Sequence, residues 1–298
     1  MPEKGPPVFL DYDQAALDAA YDQAAYAPNR EQLIKRRISD SKLARLRVGE
    51  PERVAYGPAE IERLDIYRSG HDAAPVFIFV HGGAWRSGRS KDFAAPAEMF
   101  LAAGAHYVVP DFAWVQDVAG SLMVLADQVR RAIALVYDNA AHLGGDPNRL
   151  YVGGQSSGGH LAAVALTTDW PGDFGLPANI IKGGMCISGM YDLMPVRLSA
   201  RSNYVEFDDA TVAALSPIRH LDRLHAPLIV AYSTCETPEF QRQNREFAAA
   251  VEAAGKPVQL LVGENYNHFE LPETLSNPYG LLGRAALDLL GLRARVSR

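Results

Sequence analysis

Five residues, Gly154-Gln155-Ser156-Ser157-Gly158, follow the apolar run Leu150-Tyr151-Val152 and precede the small-residue stretch Gly159-His160-Leu161-Ala162-Ala163-Val164. Strand, sharp turn and helix in that order can lift a serine hydroxyl above a sheet and make it a nucleophile. Both glycines are required there, because a side chain two residues from a strained serine would collide with the adjoining strand or helix. A helix N-terminus behind the turn also favours developing negative charge. Upstream, Val76-Phe77-Ile78-Phe79-Val80 empties into His81-Gly82-Gly83-Ala84-Trp85. A strand ending in paired glycines can turn backbone N–H groups outward, toward a carbonyl oxygen that becomes an oxyanion. The elbow has a structural alternative as a Gly-rich turn, and His81-Gly82-Gly83 alone reads equally as a tight strand-to-loop turn. Together they point to acyl transfer through Ser156.

Such a serine needs a base and an acid to orient it. In strand–turn–helix nucleophiles the chain order runs serine, acid, histidine, which leaves His160, His220, His225 and His268. His160 lies one turn into the helix behind the serine and is expected to point away. His220 and His225 flank residues 221–224, ahead of the apolar strand Pro227 to Tyr232. His268 stands in Asn265-Tyr266-Asn267-His268-Phe269-Glu270, a polar loop after the strand Val258 to Val262. Open α/β sheets gather functional groups at the C-terminal ends of strands, so His268 is the predicted base. The predicted acid is Glu236, in the loop after strand 227–232 and before Pro238 opens a helix. Glu239 is the runner-up, since a first-turn carboxylate ordinarily complements a helix dipole, and an acid from elsewhere stays open.

His81-Gly82-Gly83-Ala84-Trp85 taken with Gly154-Gln155-Ser156-Ser157-Gly158-Gly159-His160-Leu161 resembles the kynurenine formamidase (arylformamidase) branch of the α/β-hydrolases. That branch adjoins the hormone-sensitive-lipase-like esterases. Further matches are Ser188 to Leu193, Ala214 to Pro217, Glu236 to Gln243, Leu17 to Tyr21 and Leu64 to Tyr67, so the likeness runs from about residue 15 to 290. The resemblance implies an α/β-hydrolase fold: a mostly parallel sheet flanked by helices, with a partial lid over the mouth of the site. It implies Ser156, Glu236 and His268 as triad, and Gly82, Gly83, Ala84 and Ser157 as oxyanion donors. The chain departs from the branch in Gln155 and Ser157, where a His or Asp and an Ala are frequent, and in Glu236, where many members have Asp.

The elements that must carry these residues alternate strand and helix, the mark of a mostly parallel sheet. Strands are expected near 61–67, 76–80, 106–110, 149–153, 182–187, 227–232 and 258–263, with helices over 122–136, 239–254 and 278–291. Two regions stand outside the alternation. Residues 1–55 carry helical patterns before the sheet begins, and 190–215 form an irregular insert. Both are expected over the site as a lid, although the N-terminal helices could simply pack on the flank. Trp85, Phe112, Trp114 and Tyr191 follow strand ends on the same edge and are expected to line the substrate pocket, with core packing the alternative for the two tryptophans.

Bulk properties bound the rest. With 298 residues, 48% of them apolar, the chain can bury the core of one domain spanning 1–298. A net charge of −6 and the lack of Lys/Arg runs argue against nucleic acid or an anionic membrane surface as partner. No apolar stretch approaches a membrane span, and residues 1–7 lack a secretory pattern, so a cytoplasmic address is expected. Cys186 and Cys235 read as reduced packing residues, and no metal-ligand spacing or cofactor motif is present. The expected partner is a small ester or amide, and self-association into a homo-oligomer is left open. The leading expectation is a carboxylesterase for small or aryl esters. Arylformamidase-like amide cleavage on the same residues is the alternative, and a non-catalytic ligand-binding relative is a distant third.

Overall fold

The computed structural model describes residues 5–292. The leader reading of residues 1–4 and the two ends of the 1–298 domain range lie outside them. Eight strands form one sheet: β1 (Glu52–Ala55), β2 (Arg63–Tyr67), β3 (Ala74–Val80), β4 (His106–Pro110), β5 (Gly145–Gln155), β6 (Gly183–Ile187), β7 (Leu228–Cys235) and β8 (Val258–Asn267). Their order is β1-β2-β4-β3-β5-β6-β7-β8. The pairs β1–β2 and β2–β4 are antiparallel, and every pair from β4–β3 through β7–β8 is parallel. This is an α/β-hydrolase sheet.

Alternation along β3 explains why the run Val76 to Val80 is apolar throughout. Val76, Ile78 and Val80 join Val108, Val152 and Val230 in a core on one side of the sheet. Phe77 and Phe79 join Tyr107, Met185 and Ile229 in a second core on the other. A strand buried on both faces has no polar position to offer. Helices α1 (Gln14–Ala20) and α2 (Arg30–Val48) precede the sheet, and α3 (Ala97–Ala103) crosses from β3 to β4. Of the later helices, α4 (Leu122–Asp138) and α5 (Ser157–Leu166) cover the first core. They are followed by α6 (Trp170–Phe174), α7 (Leu193–Leu198), α8 (Asp209–Ala214), α9 (Pro238–Ala253) and α10 (Leu281–Leu289). The α9 residues Phe240 and Phe247 complete the first core, while α3 and α10 close the second.

Three differences from the expected elements have physical causes. β1 lies inside the stretch read as helical; it is only four residues long and mostly exposed, so it carries no buried alternation to detect. The 190–215 insert is not irregular. It holds α7 and α8, each too short for a period but each started by an aspartate, Asp192 capping Met194 N at 3.0 Å and Asp208 capping Thr211 N at 2.6 Å. β8 continues through the polar residues 263–267 and bulges there: Ser233 pairs with Gly263 and Cys235 with Asn267, so the extra residues lie in β8. Cys235 is exposed, so only Cys186 is a packing cysteine, its thiol pKa pushed up by complete burial. Among the described residues no helix is long and apolar enough to cross a membrane.

Phe77 shows how the second core is built. Its ring stacks on Phe100 at 4.7 Å and 15°, and it fits against β5 only because residue 153 is glycine, where an added Cβ would lie 2.6 Å from the ring. Phe77→Ala should therefore leave a cavity and cost about 3–5 kcal/mol. Urea unfolding of the two proteins tests this: a loss under 1 kcal/mol would mean that the core closes around the gap.

Candidate active site

Ser156 ends the β5 crossing and caps α5 with φ 59° and ψ −125°, a backbone region costly for a side chain. Its N–H donates to Ile187 O at 2.8 Å, which ties the turn to the end of β6. The flanking glycines close the turn. A Cβ on Gly158 would lie 2.1 Å from Val80 O and 2.4 Å from His81 O, and one on Gly154 would lie 2.3 Å from Gly158 O. The elbow is thus jammed against the exit of β3.

That exit holds three successive residues at positive φ: Gly83 at 129°, Ala84 at 54° and Trp85 at 61°. Gly83 and Ala84 share a cavity of about 610 Å³ with Ser156 and His268. Ser157 supplies the first N–H of α5, a group with no partner inside its own helix. Gly82 sits one step back: its missing side chain admits Gln155 and Ser156, and a Cβ there would meet Gln155 Oε1 at 2.6 Å.

His268 and Glu236 follow the last paired residues of β8 and β7, Asn267 and Cys235. The bulged ladder therefore delivers both to one spot. His268 Nε2 lies 2.9 Å from Ser156 Oγ, and Gln155 Nε2 approaches the same ring nitrogen at 3.2 Å. Two donors at Nε2 require the imidazole proton on Nδ1, which faces Glu236 Oε1 at 3.5 Å. That separation exceeds a good hydrogen bond. Oε1 is already engaged, accepting from Ser233 Oγ at 2.8 Å and from Ser188 Oγ. Glu236 is fully buried, and its Oε2 has no hydrogen-bond partner. Glu239 is elsewhere, clasped by both ends of the Arg242 guanidinium and by the Tyr21 hydroxyl.

The N-terminal helices are part of the site. Asp18, Tyr21, Gln23 and Arg37 line the cavity, as do Arg201 and Tyr204 from the insert. Asn29, the residue before α2, bonds to both Asn267 and Glu270 around the histidine turn. The four aromatic residues expected to line the pocket lie outside its wall. Trp85 is buried edge-on to His160 and Phe207. Phe112 stacks on His81 at 4.4 Å. Trp114 donates to Gly88 O at 3.0 Å beneath Arg89, and Tyr191 stacks on Phe247 at 4.0 Å. Strand-end position put them on the correct edge, but Trp85, Phe112 and Tyr191 are buried in the core and Trp114 packs against residues 88–89. The lining residues that sequence reading missed had one usable signal: Arg30, Ile34 and Arg37 recur at helical spacing on one face of α2.

Among the described residues, no three His, Cys, Asp or Glu side chains are grouped to hold a metal ion. Fold and elbow define the class of this chain: an α/β-hydrolase. The BD-FAE family matches residues 64–174. Kynurenine formamidase of Danio rerio is 31% identical over 245 residues, spanning 80% of this chain and 81% of its own. The esterase LipQ of Mycobacterium tuberculosis is 30% identical over 269 residues, spanning 80% of this chain and 61% of its own. Among solved structures, a thioesterase-like protein of Silicibacter sp. tm1040 superposes with TM-score 0.78 at 22% identity, covering 94% of this chain and 99% of the other. The chain belongs to the kynurenine formamidase and esterase branch of the α/β-hydrolases, and is a hydrolase of that family.

Beside the elbow, His160 is completely buried and donates from Nε2 to Leu215 O at 2.8 Å. Burial lowers its pKa from the usual 6.5 to about 4. The folded state holds this ring neutral while the unfolded chain protonates it near 6.5, so its contribution to stability is complete above that pH and is lost as pH falls toward 4. His81, equally buried, is shifted in the same direction. His160→Gln keeps a donor for Leu215 and should flatten the stability curve between pH 6.5 and 4, by up to about 1.36 kcal/mol per pH unit. Parallel unfolding curves for variant and wild type would show that His160 does not titrate in that window.

Proposed function

We propose that this chain is a serine hydrolase that cleaves a carboxylic ester of a small or aryl substrate through an acyl-enzyme at Ser156. The 2.9 Å contact between Ser156 Oγ and His268 Nε2 carries this reading. In the proposed reaction the Ser156 oxygen attacks the acyl carbonyl as His268 takes its proton at Nε2. Gly83, Ala84 and Ser157 N–H groups hold the oxyanion, each donor worth roughly 3–4 kcal/mol in comparable sites. The C–O bond to the leaving group breaks as His268 returns the proton to it. Water, deprotonated by the same nitrogen, then releases the acid and restores the serine.

The imidazolium formed at the first step gains a charge beside a dry carboxylate. That attraction favours closing the 3.5 Å gap to Glu236, a tightening common as catalytic sites load. Gln155 fits the same account. Its amide shares Nε2 with the serine, so it steadies the neutral ring and must give way as Nε2 takes the proton.

Cleavage of an aryl formamide on the same residues is the second reading. It is supported by the match to kynurenine formamidase, which spans four-fifths of both chains. Initial rates on p-nitrophenyl acetate and N-formylkynurenine, for wild type and Ser156→Ala, separate the two. Ester turnover with kcat/KM above about 10⁴ M⁻¹s⁻¹ is the expected result, and Ser156→Ala should lower it by at least about 10⁴-fold. Efficient turnover of the formamide would move the chain to the second reading. Activity surviving the Ser156 substitution would overturn both.

A further inference from the structure

The protein carries a net charge of −6, yet the cavity over Ser156 reverses that sign. Arg30, Arg37, Arg86 and Arg201 line it against the carboxylates of Asp18 and Asp22. Among the described residues none of these four guanidinium groups is in an ion pair, whereas Arg36, Arg47, Arg53, Arg131 and Arg242 all are. Asp18 and Asp22 are engaged as well: Asp18 accepts from Ala200 N at 2.6 Å and Asp22 from Ala24 N at 2.9 Å.

Arg37 stands apart even within this set. Arg201 donates to Tyr204 Oη at 2.8 Å and Tyr21 O at 3.0 Å, and Arg86 covers the Tyr204 ring at 4.4 Å. Arg37 touches the Phe93 ring at 4.2 Å. Its buried Nε, like that of Arg201, has no partner, and unlike Arg201 it has no hydrogen bond elsewhere on the guanidinium to a protein group among the described residues. Burial lowers its pKa, opposed by Asp92 and Glu273, neither within ion-pair distance. Desolvating a guanidinium without a partner is costly. Its position suggests what offsets that cost. Arg37 lines both the main cavity and an adjoining one of about 260 Å³ whose apolar wall includes Leu33, Phe79, Phe93 and Leu275. Of the carboxylates on that cavity, Glu98 and Glu273 are paired with Arg47 and Arg36, and Asp40 is the third. Gln155 and Phe269 also border both, so the junction lies beside Ser156 and His268.

Resting on the serine hydrolase reading, we propose that the substrate carries a carboxylate, bound by Arg37 at the junction of the two cavities. A guanidinium fork matches a carboxylate with two parallel N–H···O bonds. The surrounding cations, Arg30 and Arg86 at the rim and Arg201 deeper, draw an anion into the cavity. The apolar walls of the smaller cavity suit the short carbon chain or ring that bears it.

The test pairs substrates that differ only in charge. Mono-p-nitrophenyl glutarate is set against p-nitrophenyl pentanoate for the acyl side, and 4-carboxyphenyl acetate against phenyl acetate for the leaving group. We expect kcat/KM to favour the anionic member at least about tenfold in one pair, and less so at high salt. Arg37→Gln should lower that ratio about tenfold, and Arg37→Lys should lower it less. Arg68→Gln, a surface charge removed far from the cavity, should keep the wild-type ratio. Circular dichroism checks that each variant folds. Calorimetric titration with glutarate and glutaramide gives a readout independent of turnover: only glutarate should bind, and Arg37→Gln should abolish it. Equal use of both members of each pair, or a ratio unchanged in both Arg37 variants, overturns the proposal while leaving the hydrolase reading intact. If no ester is cleaved, that reading fails, and the titration alone decides whether Arg37 holds a carboxylate.

Discussion

The site depends on one strained residue. Ser156 sits at φ 59° and ψ −125°, a conformation that costs of order 1–3 kcal/mol and survives only where its surroundings leave no alternative. Here β6 grips its N–H through Ile187 O, α5 begins at the next residue, and the backbone of Val80 and His81 presses on Gly158. Strand, helix and the β3 exit are therefore fixed relative to one another by a contact that tolerates no Cβ. The same contact brings the positive-φ turn at Gly83 and Ala84 into the cavity that holds the serine. Ser156 and that turn are positioned by a single packing event.

The other half of the site is set by register. Because β8 bulges opposite the end of β7, Glu236 and His268 leave the sheet from paired positions. The turn holding the histidine is then tied down from outside the sheet, by Asn29 to Asn267 and Glu270. The N-terminal segment therefore does two things at once. It lines the cavity with Asp18, Tyr21 and Arg37, and it braces the loop that carries His268.

Much of this was legible in the sequence because strong local constraints write strong local signals. Glycines at 154 and 158 mark a collision that only they avoid, and the unbroken apolar run of β3 marks a strand with two buried faces. The order serine, acid, histidine left four histidines and the loop after a strand end singled out His268, whose ring the structure brings against Ser156. Less was legible where tertiary contact decides. Trp85, Phe112, Trp114 and Tyr191 were placed on the correct edge, but whether a ring faces a cavity or a helix depends on partners distant in sequence, such as Phe207 and Phe247. β1 had no pattern to read, since an edge strand of four mostly exposed residues buries nothing.

The surroundings of Glu236 explain why a fully buried carboxylate is tolerated here at all. Removing such a group from water costs several kcal/mol unless hydrogen bonds replace its solvation. The Ser188 and Ser233 hydroxyls provide two of them, both to Oε1. Ser188 can do so because it adopts φ 49° immediately after β6, a second strained residue at the same strand ends. The result is a carboxylate held in place by groups other than the histidine it faces. On the proposed roles, the acid does not need the imidazole to keep its position, so its orientation survives each change of charge on His268. A fixed charge aimed at an opposite charge that appears only during the reaction is what electrostatic preorganisation requires.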